Sequence, residues 1–220
     1  MANVTGRDVE ISPLGLAGIL NVPRASTALV LFAHGSGSSR LSPRNTQVAE
    51  ALWQAGLGTL LFDLLTESEA ADRENVFDIG LLAERLFLAT NWARQQTELR
   101  QSRIGYFGAS TGAAAALVAA TIEDNDIGAI VSRGGRPDLA GAALPEVNAP
   151  TLLIVGGDDD VVLELNREAL AQLRCEKKLE VVPGATHLFE EPGTLDQVTT
   201  LARTWFRDHL LGRPAGRPHV

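Results

Sequence analysis

Six short, continuous apolar runs, separated by longer segments of helical period, constrain this chain more than any other feature of its sequence. They cover residues 28–33, 59–62, 104–107, 129–131, 151–155 and 179–182. Continuous apolarity, rather than alternation, suits strands whose sheet is covered by helices on both faces, so the pattern predicts a parallel sheet. Two alternating segments, 8–11 and 16–22, come first and are joined by Ser12-Pro13-Leu14-Gly15, which is turn chemistry for a hairpin. The expected fold class is α/β: a mostly parallel central sheet of about eight strands with helices on both faces.

The intervening helices have legible ends. Ser42-Pro43 pairs a good N-cap with a residue suited to the first helical position, and Gly56 stops the helix expected over 43–55. Further helices are expected over 79–96, 111–121, 163–173 and 195–210. The longest apolar stretch, 113–120, is Ala-rich and reads as a buried helix. It is too short to cross a membrane. The charged segment 66–75 is expected to be a solvated loop. Residues 132–149 carry Gly134, Gly135, Gly141 and Pro145 without a long amphipathic pattern, so no lid domain is expected there.

A length of 220 residues with 45% hydrophobic content fits one globular domain, expected over 1–211, followed by a Pro- and Gly-containing tail at 212–220 that should fray. Lys and Arg total 19 against 27 Asp and Glu, a net charge of −8. That balance argues against a general nucleic-acid partner, which needs a basic face. The single cysteine, Cys175, cannot form an internal disulfide and reads as buried or structural. Residues 1–10 lack the basic and apolar regions of an export signal, so the expectation is a cytoplasmic protein with no membrane partner.

Chemistry enters at Gly108-Ala109-Ser110-Thr111-Gly112, a G-x-S-x-G between an apolar run and the Ala-rich helix. In that context the strand-to-helix turn is sharp enough to strain the serine and expose its Oγ above the sheet. A serine N-cap on an ordinary helix is the simpler alternative. A serine hydroxyl becomes a nucleophile only when a base takes its proton and an acid orients that base. Of four histidines, His209 lies near a helix end and His219 in the tail, without motifs around them. His187 stands in Pro183-Gly184-Ala185-Thr186-His187, a loop after the last strand. Gly156-Gly157-Asp158-Asp159-Asp160, after the preceding strand, offers three carboxylates. Consecutive residues point in different directions and no calcium-loop spacing follows, so no metal is expected.

The loop His34-Gly35-Ser36-Gly37-Ser38-Ser39 is rich in small residues but lacks both G-K-[ST] and G-x-G-x-x-G, which disfavours nucleotide binding. With these motifs the chain resembles the α/β-hydrolase superfamily, and within it the dienelactone-hydrolase-like branch. The resemblance spans residues 3–211 and implies the α/β-hydrolase fold, hydrolytic chemistry and no cofactor. It implies Ser110 as nucleophile, His187 as base, and Asp159, at the usual acid position one residue before the x-V element, as the acid. The oxyanion hole is assigned to the backbone amides of Thr111 and Ser36, with His34 bracing the loop. Dienelactone hydrolase itself uses a cysteine where this chain has Ser110. Similar sequences also occur fused to a phosphoribosyltransferase-like domain, which this sequence lacks.

Four arginines fall in loops expected to rim the site: Arg40, Arg44, Arg133 and Arg136. Either they bind an anionic group of the substrate or they pair with Asp63, Glu67 or Asp138 and brace loops. The expected activity is hydrolysis of a small carboxylic ester or lactone through an acyl-enzyme, the partner being that small molecule, with a homodimer left open. The alternatives are a thioesterase or peptidase using the same residues, and a ligand-binding receptor of this fold without useful turnover.

Overall fold

In the computed structural model, which describes residues 6–212, eight strands form one sheet in the order β1-β2-β4-β3-β5-β6-β7-β8. The strands are β1 (Arg7–Ile11), β2 (Leu16–Asn21), β3 (Ala28–Ala33), β4 (Gly58–Phe62), β5 (Arg103–Ala109), β6 (Ala129–Arg133), β7 (Thr151–Gly156) and β8 (Lys177–Val182). β2 runs antiparallel to β1 and to β4, and all other neighbours are parallel. Most of the segment expected to fray, from 213 on, lies outside the described residues.

Alternation within β3 explains why its sequence shows none. Leu29, Leu31 and Ala33 enter a core with helices α4 (Ile79–Gln95), α5 (Thr111–Ala119) and α6 (Asp160–Gln172). Ala28, Val30 and Phe32 enter a second core with α1 (Pro43–Gln54) and α7 (Thr194–Leu210). Both faces of the strand are thus buried, so both must be apolar. α5 is buried almost throughout, as its alanines require. Among the described residues no helix is long and apolar enough to cross a membrane.

Two expectations need correction. The segment 66–75 is not a plain loop: it winds into α2 (Glu67–Ala70) and continues into α3 (Arg73–Phe77). These turns are fixed by polar contacts rather than core burial. Thr66 and Glu69 form a reciprocal capping box, and Asp72 caps α3. Neither helix buries a residue, so no apolar period marks them. Second, α6 begins at Asp160 rather than 163, because Asp159 occupies the N-cap position. In the stretch where no lid is expected, Pro137–Glu146 forms a 3-10 segment, kinked at Gly141 and packed against α5 and α6 on the body of the fold.

Candidate active site

The loops after β3, β5, β6, β7 and β8 all emerge at the carboxyl edge of the sheet, where open α/β sheets bind ligands. Ser110, between β5 and α5, has φ 50° and ψ −123°, a conformation that L side chains rarely adopt. Such strain costs about 1–3 kcal/mol, no more than burial of one side chain like Phe107 contributes, so the two cores can hold it. The flanking glycines are a steric necessity. A Cβ at Gly112 would lie 2.1 Å from Ala33 O, and one at Gly108 2.5 Å from Ala113 Cα.

The turn after β6 wraps the strained residue. Ser110 N–H donates to Arg133 O at 3.4 Å, and Ser110 O accepts from Arg136 N at 3.0 Å and Ala113 N at 3.1 Å. Asn166 on α6, fully buried, steadies this turn by donating from Nδ2 to Gly135 O at 3.0 Å. No local motif in the sequence marks Asn166, because its role depends on a partner 31 residues away.

His187 and Asp159 meet across the edge of the sheet: Nδ1 lies 2.7 Å from Oδ2, with the Asp159 side chain only 15% exposed. Asp158 and Asp160 are exposed. The imidazole also stands beside the turn that wraps Ser110, since a methyl group at Gly134 would meet His187 Cε1 at 3.7 Å. The described hydrogen bonds tie His187 to Asp159 and not to Ser110 Oγ; in free enzymes such contacts commonly tighten only with substrate bound. Glu191 steadies the histidine loop by accepting from Thr186 Oγ1 at 2.6 Å and Thr186 N at 3.1 Å. The Thr186 hydroxyl, followed by backbone donors, holds the Glu191 carboxyl below the usual range.

The loop after β3 also lies against Ser110, a Cβ at Gly35 being 2.9 Å from Ser110 Cβ. Thr111, as first residue of α5, has no intrahelical acceptor for its N–H. The Ser36 amide is engaged differently: it donates to Thr111 Oγ1 at 3.0 Å. Thr111 therefore has an amide without an intrahelical partner and anchors the loop after β3 with its hydroxyl, a contact that the motif does not reveal. His34 is locked as a neutral ring, with Nδ1 3.0 Å from Gly35 O and Nε2 accepting from Leu64 N at 3.2 Å. Burial lowers its pKa, against the opposing pulls of Gly35 O and the Asp63 charge.

The four arginines divide. Arg40 pairs with Asp63 and Arg136 with Asp138, two of the bracing partners expected. Arg44 pairs with Glu190, which the sequence did not suggest, at 3.1 Å. Arg133 is buried with no carboxylate partner among the described residues. Beside the oxyanion loop a cavity of about 630 Å³ is lined by residues including Leu14, Ser36, Leu64, Val76, Leu82 and Thr111. Cys175 lies at the start of β8's approach, its thiol 3.8 Å from Thr151 Oγ1, and burial pushes its pKa up. Among the described residues no three His, Cys, Asp or Glu side chains group as metal ligands.

Known proteins are similar to this chain in sequence and in fold. A Mycobacterium tuberculosis protein provisionally named a phosphoribosyl transferase is 59% identical over 210 residues, which is 94% of this chain and 47% of that protein. The chain thus spans about half the length of that relative. A crystal structure of dienelactone hydrolase from Anabaena variabilis superposes with a TM-score of 0.89 at 54% identity, covering 93% of this chain and 97% of that one. Est1E from Butyrivibrio proteoclasticus shares the fold at a TM-score of 0.78 and 17% identity, covering 93% of this chain and 98% of its own. The profile of the dienelactone hydrolase family matches residues 28–206, from the first strand of the parallel sheet into α7. On that match, and on the close likeness to the Anabaena structure, the chain belongs to the dienelactone hydrolase family.

Proposed function

We propose that the protein is a serine hydrolase that cleaves a small carboxylic ester or lactone through an acyl-enzyme. The observation that carries this reading is the 2.7 Å contact of His187 Nδ1 with Asp159 Oδ2, beside a serine held at φ 50° on the strand-to-helix turn. With Nδ1 committed to the carboxylate, Nε2 is the nitrogen left to take the Ser110 proton as Oγ attacks the carbonyl carbon. The resulting tetrahedral oxyanion is met by the Thr111 and Ser36 amides, the latter sharing or leaving its bond to the Thr111 hydroxyl. His187 then protonates the departing alkoxide, and water repeats the sequence on the acyl-enzyme. Asp159 stays ionised throughout and holds the tautomer.

The cavity beside the oxyanion loop supplies room for one arm of the substrate. Its walls combine leucines with Ser38, Ser39, Thr66, Glu67 and the mutually paired Arg40 and Asp63, so it suits a group that is part apolar and part polar. We assign the transferase in the name of the longer Mycobacterium tuberculosis relative to the half outside this alignment, since the aligned half carries the hydrolase match. A fluorophosphonate probe tests the reading. Stoichiometric labelling of the wild type that vanishes in Ser110→Ala is expected, whereas labelling at another serine, or none, overturns it.

A further inference from the structure

Arg133 is the last residue of β6, and its carbonyl oxygen accepts from the Ser110 amide. Its side chain turns toward the first turn of α1, where Nη2 stands 3.4 Å from Asn45 Oδ1. That contact is near the limit of a hydrogen bond. The residue is only 8% exposed, and Nε and Nη1 are buried with no acceptor among the described residues. A buried charge is normally paired, because desolvation is otherwise uncompensated. Here the charge felt at Arg133 is that of a second cation: burial first, and then the charge of Arg44, push the Arg133 pKa down to about 10. Arg44 also has an unpartnered buried Nε, while its Nη1 reaches exposed Glu190. α1, 12 residues long, has no acidic residue in its first turn to offset the positive end of its dipole.

We propose that Arg133, Arg44 and the amino end of α1 form a binding site for a small oxyanion, a phosphate or carboxylate, next to the nucleophile's turn. Guanidinium groups bind such oxyanions through paired N–H donors, and the unused donors here are of that type. A purely structural arginine linking β6 to α1 would use its donors on protein acceptors, as Arg94 does with the carbonyls of Asp124 and Asp126. Because Arg133 is covered, occupancy requires a neighbouring side chain to move. Arg44 is suited to this: its side chain is 35% exposed, and its Nη1 contacts exposed Glu190 at 3.1 Å. An arriving anion draws Arg44 away from Glu190 and onto itself. The anion is either free or the charged end of a substrate. The site itself stands apart from the hydrolase reading, and only the second source rests on it.

The test is calorimetric titration of the full chain with inorganic phosphate, against chloride at matched ionic strength, in wild type and in Ser110→Ala. Saturable binding is expected in both, at least about tenfold weaker in Arg133→Met and severalfold weaker in Arg44→Met, as loss of a charge-assisted contact implies. Without phosphate, Arg133→Met is expected to match or exceed wild-type thermal stability, since it removes an uncompensated buried cation; a structural linker would lose stability. If Arg133→Met does not fold, that outcome and unchanged binding in Arg44→Met together overturn the proposal. No saturable binding in the wild type, or binding indifferent to both substitutions, also overturns it. The two sources separate on paired esters. Phosphate that inhibits hydrolysis of a 4-nitrophenyl ester bearing a carboxylate, but not of 4-nitrophenyl acetate, marks the substrate's anionic end, and phosphate that binds without affecting either marks a free anion. Since binding is also read in Ser110→Ala, failure of probe labelling leaves this result intact, and the converse holds.

Discussion

His187 Nδ1 and Asp159 Oδ2 stand 2.7 Å apart, joining the loop after β8 to the turn after β7 across 28 residues of sequence. Asp159 is the one of three consecutive aspartates that is partly buried, while its neighbours are exposed. Asp159→Asn should therefore lower kcat by about 10⁴, the loss that follows when the base takes the wrong tautomer. Asp158→Asn and Asp160→Asn should stay within a few-fold of wild type. Steady-state kinetics on 4-nitrophenyl acetate would decide, and equal losses at all three would remove Asp159 from its role.

Thr111 ties the start of α5 to the loop after β3 through its hydroxyl bond to the Ser36 amide, the two sides of the proposed oxyanion site. Thr111→Val keeps the shape and removes the acceptor. It should lower kcat by about 10-fold or more, short of the 10²–10³ typical when an oxyanion donor is lost outright, with KM little changed. Thr111→Ser should restore most of the rate. A Val variant as active as wild type would show that the bond has no part in turnover.

A methyl group at Gly112 has nowhere to go, because the obstruction is the backbone oxygen of Ala33 rather than a flexible side chain. Gly112→Ala should cost about 1–3 kcal/mol or more, the range for overpacking a tight core. Urea denaturation should show a lower midpoint with the same slope. Gly37→Ala is a useful contrast, since nothing lies within 4 Å of its added Cβ and its φ of +71° brings only local strain.

His34 makes stability depend on pH. Its folded-state pKa is lowered by burial, so on acidification the unfolded chain takes up a proton before the folded one does. The resulting stability is complete above the unfolded value, about 6.5, and is lost as pH falls from there toward the folded pKa. Protonation also costs Nε2 its bond from Leu64 N. Denaturation at pH 7.5 and 5.5 should show a smaller acid loss in His34→Gln than in wild type. An identical loss would assign the effect to other groups.

All eight strands and the five longer helices were legible in the sequence: β1 and β2 by alternation around turn residues, the central parallel strands by the unbroken apolar runs that burial on both faces leaves, and the helices by their period and by caps such as Ser42-Pro43. α2 and α3 were not, since helices that bury nothing carry no apolar period. Ser110 and His187 could be picked out as candidates by motif and chain order, whereas Asp159 stood out from its two neighbours only through the family resemblance. That the three candidates lie at one edge is a property of strand order: β5, β7 and β8 end on the same edge only once the parallel sheet has formed.

What the sequence determined by itself is local: where the chain extends, where it coils, and that Gly108 and Gly112 leave Ser110 free to take a strained turn. Tertiary structure alone decided the pairings. Arg40, Arg44, Arg133 and Arg136 look alike as letters, yet three meet carboxylates while Arg133 is enclosed beside Asn45 and Arg44. The physical reason is that a charge is settled by whichever groups the fold brings within a few ångströms of it, and for Arg133 and Asn45 those groups lie 88 residues apart in the chain.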